Sequence, residues 1–498
     1  MFYTSTRDNS VRVTASKAIT DGISPDGGLY IPVEIPALSA DELKALCNAD
    51  YKERAKKVLG LYLTDFSKDE LDYCVEGAYK EGKFSSEKVA PVVKLHDNVS
   101  ILELFKGPTC AFKDMALQIL PYLLTVSAKK NLKDKEIVIL VATSGDTGKA
   151  ALEGFKDVDG TRILVFYPVD GVSPMQKLQM TTQEGNNVGV CAIKGNFDDA
   201  QTGVKSIFTN KEILKRFEEN NLVFSSANSI NWGRLAPQIV YYISAYCDMV
   251  NNGSVKFGEK INIVVPTGNF GNILAAYFAK EMGLPVNKLI CASNANRVLT
   301  DFIQSGTYNR NRDFYTTVSP SMDILISSNL ERLLYILCGR DADVINDWFS
   351  QLGNKGVYTV SDDVNAKIKE LFVAGCCDDA LTKETINETY NSYDYLADTH
   401  TAVAINVCNK YIEETGDMTP VVIASTASPF KFSKAVLGAV ETDAKDYDDE
   451  FSTVAALEEL SSLKAPEQLS ALKGKEVRFD KVASKEDMAK VVFDMLGI

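Results

Sequence analysis

Histidine is nearly missing from this 498-residue chain, which carries only His96 and His400. That leaves histidine acid–base catalysis and multi-histidine metal sites poorly supported, so no metal site is expected and a lysine-centred chemistry fits better. Paired cysteines are missing too. The ten cysteines are scattered with no Cys-x-x-Cys pair, which reads as reduced thiols, mostly buried small hydrophobes, in a cytoplasmic protein. Positive charge is in deficit: 53 Lys and Arg stand against 67 Asp and Glu, a net charge of −14. A phosphate backbone would be repelled, so nucleic acid is not an expected partner, and an anionic substrate must be caught by local cations. No apolar run of membrane-spanning length interrupts the sequence, and residues 1–8 lack a signal-peptide core. Neither a membrane nor an export route is therefore expected. Repeats and low-complexity tracts are absent as well, and the acidic segment 443–450 reads as a solvated loop.

What is present begins with residues 107–114, Gly-Pro-Thr-Cys-Ala-Phe-Lys-Asp, which hang Lys113 on a short turn before an apolar helical run over 115–124. A lysine so placed is either a solvated charge at a helix start or an amine able to carry a Schiff base. Two glycine-rich loops bear on that choice. Residues 143–149, Thr-Ser-Gly-Asp-Thr-Gly-Lys, follow a β-rich run over 136–141 and precede a helix-like stretch. Residues 267–272, Thr-Gly-Asn-Phe-Gly-Asn, repeat the strand–turn–helix pattern after 261–265. Glycines in such loops either turn the chain or present N–H groups at a helix start, where a phosphate or carboxylate binds. The first loop is not that of a nucleotide hydrolase: it lacks the four-residue gap between glycines, and Ala150 stands where a magnesium-binding Ser or Thr belongs. The second is not a dinucleotide fingerprint, since Gly268 and Gly271 are its only glycines. One lysine and two anion loops on an α/β frame meet the needs of pyridoxal phosphate.

Five segments in order carry a resemblance to the threonine synthase family, among the pyridoxal-phosphate enzymes that include the tryptophan synthase β chain and the serine/threonine dehydratases. They are residues 3–7 with 21–30, Phe112-Lys113-Asp114, residues 142–148, residues 268–272, and residues 425–432, Ser-Thr-Ala-Ser-Pro-Phe-Lys-Phe. Two departures are visible: Ser428 and Phe430 replace a usual His and Ala, and Thr399 in Asp398-Thr399-His400-Thr401-Ala402 replaces a usual Pro.

The resemblance implies that Lys113 carries pyridoxal 5'-phosphate and moves protons. It implies that Gly268, Asn269, Phe270, Gly271 and Asn272 hold the cofactor phosphate, and that Thr426 offers a neutral hydroxyl to the ring nitrogen. Ser144 and Thr147 would bind the substrate carboxylate, and the protonation state of Asp146 stays open. The implied reaction is that of a carbon–oxygen lyase, taking O-phospho-L-homoserine and water to L-threonine and phosphate, the last step of threonine biosynthesis. Arg234, at an expected helix start, is the first candidate for gripping the substrate phosphate and Lys149 the second; a structural ion pair is the other reading of Arg234. A dehydratase, or a relative of the same fold that has lost catalysis, are the alternatives, and a monomer or small homo-oligomer is expected.

The expected fold is the tryptophan synthase β-like one, with parallel sheets covered by helices. Strands are expected near 136–142, 162–167, 188–193, 222–226, 261–265, 288–292 and 420–424, and a long helix over 232–250. Three regions follow: a helix-rich one over 1–95, an α/β region with the lysine over 96–230, and a second α/β region over 231–498.

Overall fold

Continuous apolar runs rather than alternating ones make the central strands, which marks sheets covered on both faces. In the computed structural model, which describes the chain apart from residues 133–134, 144, 170–171, 442–446 and 448 and the side chains of 197–198, these runs form two main sheets. The six-stranded sheet has the order Phe372–Cys376, Val286–Ser293, Ile261–Pro266, Val421–Ser425, Val99–Glu103, Val92–His96. Every pair in it is parallel except the last, an antiparallel hairpin. The five-stranded sheet, all parallel, runs Val482–Ala483, Val188–Ile193, Thr161–Pro168, Glu136–Ala142, Leu222–Ser225. Each strand expected from sequence is present, within about two residues at its ends.

Sheet membership does not follow the three expected regions. The boundary at residue 95 falls inside Val92–His96, and that hairpin belongs to the six-stranded sheet with the strands beyond residue 260. The strand Val482–Ala483 in turn edges the sheet built from 136–225. Pairing over such separations is a tertiary fact that local patterning does not carry. The acidic segment 443–450 lies mostly outside the described residues.

The N-terminal region is helix-rich, with helices Ala15–Asp21, Ala40–Cys47, Tyr51–Tyr62 and Lys68–Ala78. Ser39 with Glu42 and Ser67 with Glu70 form reciprocal capping boxes at two of their starts. The helix Trp232–Asn251 is buried from Trp232 through Met249 and packs against Gly271–Glu281, Tyr51–Tyr62 and Asp114–Leu117. It therefore ties the N-terminal helices to the lysine turn and to the second glycine loop. The helical run expected over 115–124 is divided into Asp114–Leu117 and Leu120–Asn131. Pro121 lies in the first turn of the second helix, where its missing N–H costs nothing and its fixed φ starts the turn.

Candidate active site

Lys113 and Thr426 are brought together by backbone pairing. Ala111 and Ala427 form an antiparallel bridge, the Phe112 N–H donates to the Thr426 carbonyl at 2.8 Å, and the Ser428 N–H donates to the Cys110 carbonyl at 3.0 Å. This pairing lies just past the carboxyl end of Val421–Ser425, where open parallel sheets place their ligands. The turn before Lys113 is fixed by Asp114, which accepts from the Thr109 N–H and hydroxyl, both at 2.8 Å. Gly107 must be glycine, because a Cβ there would stand 2.5 Å from the Asp114 carboxylate.

The Lys113 amine makes no hydrogen bond among the described residues and lies 4.7 Å from the centre of the Phe112 ring. Burial of its surroundings is the main reason its pKa falls from 10.5 to about 8; Asp146 opposes that fall, and Lys431 and Arg234 add to it. An amine in that range is partly neutral near physiological pH and can take up or give a proton.

Asp146 and Lys431 form a buried ion pair at 2.7 Å, with side chains 4% and 0% exposed. Lys431 also donates to the Thr109 carbonyl at 3.0 Å, and Gln176 donates to Asp146 at 3.0 Å. Burial by itself would raise the Asp146 carboxyl, but Lys431 and Lys113 together hold it below the ordinary carboxylate range. The open question over Asp146 resolves to an ionised carboxylate. Lys431 and Gln176 were not singled out from sequence, although Lys431, the one cation in an otherwise apolar Pro-Phe-Lys-Phe run, gave a signal.

The second loop ends in a helix start with no side-chain cap, at Gly271–Glu281, and Phe270 holds the left-handed φ of 61°. The N–H groups of Gly268 through Asn272 find no acceptor among the described residues. Five successive free donors at a helix start form a cradle that could hold a phosphate. Asn272 accepts from the Tyr241 hydroxyl at 2.7 Å and from Tyr242, which leaves its buried Nδ2 without a partner. The cradle is held from behind by residues sequence reasoning missed: the Ser327 hydroxyl donates to the Gly268 carbonyl at 2.7 Å, and the Asn329 N–H to the Asn269 carbonyl at 3.1 Å.

In the first loop, Thr143 Oγ1 accepts from the N–H groups of Gly145 and Gly148, each at 2.9 Å, so the loop closes on itself. The Asp146 and Thr147 N–H groups and the Thr147 hydroxyl keep no partner among the described residues. Ser144 lies outside the described residues. Arg234 is 3% exposed and donates to the Ala227 carbonyl, while its Nε is buried without a partner and no carboxylate pairs with it among the described residues. That disfavours the structural ion pair. Lys149, by contrast, is engaged by Glu153 at 3.0 Å and by Gln183, so its ammonium is committed within the protein.

The residues fit pyridoxal phosphate: an unbonded amine at Lys113, an uncapped cradle at 268–272 with the spare Asn272 Nδ2, and a Thr426 hydroxyl with no partner among the described residues. Comparison with known proteins agrees. Residues 2–79 match the family described as Threonine synthase N terminus, residues 88–352 that described as Pyridoxal-phosphate dependent enzyme, and residues 401–492 that described as Threonine synthase, C-terminal. The chain is 42% identical to human threonine synthase-like 1 over 86% of its own length, and spans 58% of that protein. It is 37% identical to the threonine synthase of Corynebacterium glutamicum, covering 88% of this chain and 91% of that one. The crystal structure of the pyridoxal-phosphate-bound threonine synthase of Brucella melitensis superposes with a TM-score of 0.88 at 35% identity, over 99% of each chain. Lysine turn, paired threonine, cradle and three matched regions agree: the chain belongs to the threonine synthase family of pyridoxal-phosphate-dependent enzymes.

Proposed function

We propose that this chain is a threonine synthase, which converts O-phospho-L-homoserine and water to L-threonine and phosphate. The observation that carries the reading beyond the family is Arg234, a buried cation without a carboxylate partner among the described residues, whose charge is felt at Lys113. A substrate with a phosphate leaving group needs such a cation in a chain of net charge −14. A dehydratase substrate, with no phosphate, does not.

In this reading the cofactor is held by Lys113, by the N–H groups of Gly268, Asn269, Phe270, Gly271 and Asn272, and by the Thr426 hydroxyl at the ring nitrogen. When bound it supplies an electron sink for negative charge that develops on the substrate carbons. Thr426, a neutral partner, leaves the ring nitrogen largely unprotonated, which tempers that sink. Once the substrate's own amine displaces it, the Lys113 amine would take the Cα proton, hand it to the bound cofactor, and then take a Cβ proton of the substrate. Phosphate departs from Cγ against Arg234. Lys113 returns a proton at Cγ, water adds at Cβ, and Cα regains its proton. Thr147, with the free N–H groups of its loop and with Ser144, grips the substrate carboxylate.

The reading places the protein in the cytoplasm as a monomer or small homo-oligomer acting on a small phosphorylated amino acid. All ten cysteines are free thiols, and no helix among the described residues is long and apolar enough to cross a membrane. The test is release of phosphate and threonine from O-phosphohomoserine, set beside oxo-acid formation from serine. Equal amounts of phosphate and threonine are expected; oxo acid from serine with no turnover of phosphohomoserine would replace this reading with the dehydratase.

A further inference from the structure

The segment Asp398-Thr399-His400-Thr401 has no part in the chemistry above, yet all four residues are buried, the most exposed at 2%. Asp398 caps the helix Thr399–Thr415, accepting from the N–H groups of His400 and Thr401 and from the Thr401 hydroxyl. His400 Nδ1 stands 2.9 Å from Asp398 Oδ1, and His400 Nε2 stands 3.1 Å from the backbone N–H of Ser321. A backbone N–H only donates, so Nε2 is the acceptor and the ring proton sits on Nδ1, directed at Asp398. The Phe432 ring, with centroids 4.9 Å apart, closes the remaining side of the imidazole.

The carbonyl on the other side of Ser321 meets the cradle. A Cβ on Gly268 would stand 2.8 Å from the Ser321 carbonyl oxygen, so that glycine exists to let the carbonyl approach. The same cap reaches the opposite end of the site, because the Thr401 hydroxyl lies 3.0 Å from that of Ser425, the residue before Thr426. One aspartate thus anchors a contact to Ser321, which abuts the loop at Gly268, and another to Ser425, the neighbour of Thr426.

We propose that His400 is a positioning residue for the cofactor phosphate: oriented by Asp398, it anchors Ser321 by its N–H, so that the Ser321 carbonyl stays against Gly268 and fixes the shape of loop 267–272. This rests on the reading that the loop holds that phosphate. Such a role follows the pattern of an outer residue orienting the groups that bind, where the bond at stake is one hydrogen bond to a half-buried N–H.

The experiment titrates the full-length apoprotein with pyridoxal phosphate and, separately, with pyridoxal, which lacks the phosphate. Three chains are compared: the unaltered protein, His400→Asn and His400→Gln. Glutamine reaches about as far as Nε2 and keeps an acceptor for Ser321, whereas asparagine ends near Nδ1 and cannot meet it. His400→Asn should weaken pyridoxal phosphate roughly tenfold, as one lost hydrogen bond allows, and leave pyridoxal unchanged; His400→Gln should recover most of the loss. Equal weakening of both ligands by His400→Asn, or equal behaviour of the two variants, overturns the proposal. If the unaltered chain binds both ligands alike, the phosphate reading of the loop fails first. Nitrogen NMR of the unaltered protein covers the case in which His400→Asn does not fold. The His400 Nε2 resonance should move on adding pyridoxal phosphate and stay still with pyridoxal; a resonance unmoved by the phosphate form overturns the proposal equally.

Discussion

At the scale of single residues, the environment of Lys113 sets a measurable pH dependence. With its pKa near 8 in the folded apoprotein, against 10.5 ordinarily, the amine is neutral and nucleophilic above about pH 8. The rate of cofactor reconstitution should therefore rise with pH and reach half its plateau near pH 8. Asp146→Asn removes the charge that favours the ammonium, so the midpoint should move to lower pH; stopped-flow absorbance checks both, and an upward shift would contradict the assigned role of Asp146. The sign for stability runs the same way. Between pH 8 and 10.5 the unfolded chain binds a proton that the folded chain does not, so Lys113 makes apoprotein stability rise with pH in that window. Borohydride reduction of the holoenzyme followed by peptide mapping should place the pyridoxyl mass on Lys113. Arg234→Ala removes a charge-assisted contact of about 1.5–3 kcal/mol, which predicts roughly tenfold or greater loss in kcat/KM for phosphohomoserine with cofactor binding intact. Unchanged kinetics would assign the substrate phosphate to another cation.

Secondary-structure elements show where sequence reading succeeds and where it stops. Strands such as Ile261–Pro266, buried along their whole length, are legible because a run of apolar β-branched residues has no other use at that length. The hairpin Val92–Glu103 was not read, because its first strand is mostly half-buried and includes Lys94 and His96. Val482–Ala483 has two residues, too few for any period to show. The glycine loops and Lys113 were legible because local chain order sets them, whereas Ser327 and Asn329, which brace the cradle, come from a distant segment. One packing contact between elements gives a stability prediction. The helix Asp146–Phe155 passes so close to the turn after Lys113 that a Cβ on Gly154 would collide with the Leu117 carbonyl. Gly154→Ala gains helix propensity but must shift backbone, so a net loss of about 1–3 kcal/mol is expected in urea denaturation. A gain in stability would show that the two helices are free to separate.

Across the whole molecule, the Asp146–Lys431 pair links the loop after the Glu136–Ala142 strand of one sheet to the segment after Val421–Ser425 of the other. Lys431→Met leaves a buried carboxylate without its cation and should cost about 3–5 kcal/mol. Adding Asp146→Asn to it should restore much of that loss, since the carboxylate that lost its cation is then neutral as well. Thermal unfolding of the single and double variants is the measurement, and purely additive losses would show that the pair is not one unit. Their pairing was not legible from local sequence, because the contact depends on how the two sheets meet.

The contact of Lys431 with the Thr109 carbonyl joins residues 322 positions apart, and the Ala111–Ala427 bridge beside it closes a loop of similar size. Loop-closure entropy makes pairings of that span late events in folding. Partly folded chains in which Val421–Ser425 has not yet paired with Val99–Glu103 and the bridge is open would have Lys113 and Thr426 apart and no complete place for the cofactor. Pyridoxal phosphate then adds its binding energy only to finished molecules, drawing the last step of folding forward by mass action. The colour of the bound cofactor would serve as a clock for that step, lagging the growth of secondary structure during refolding.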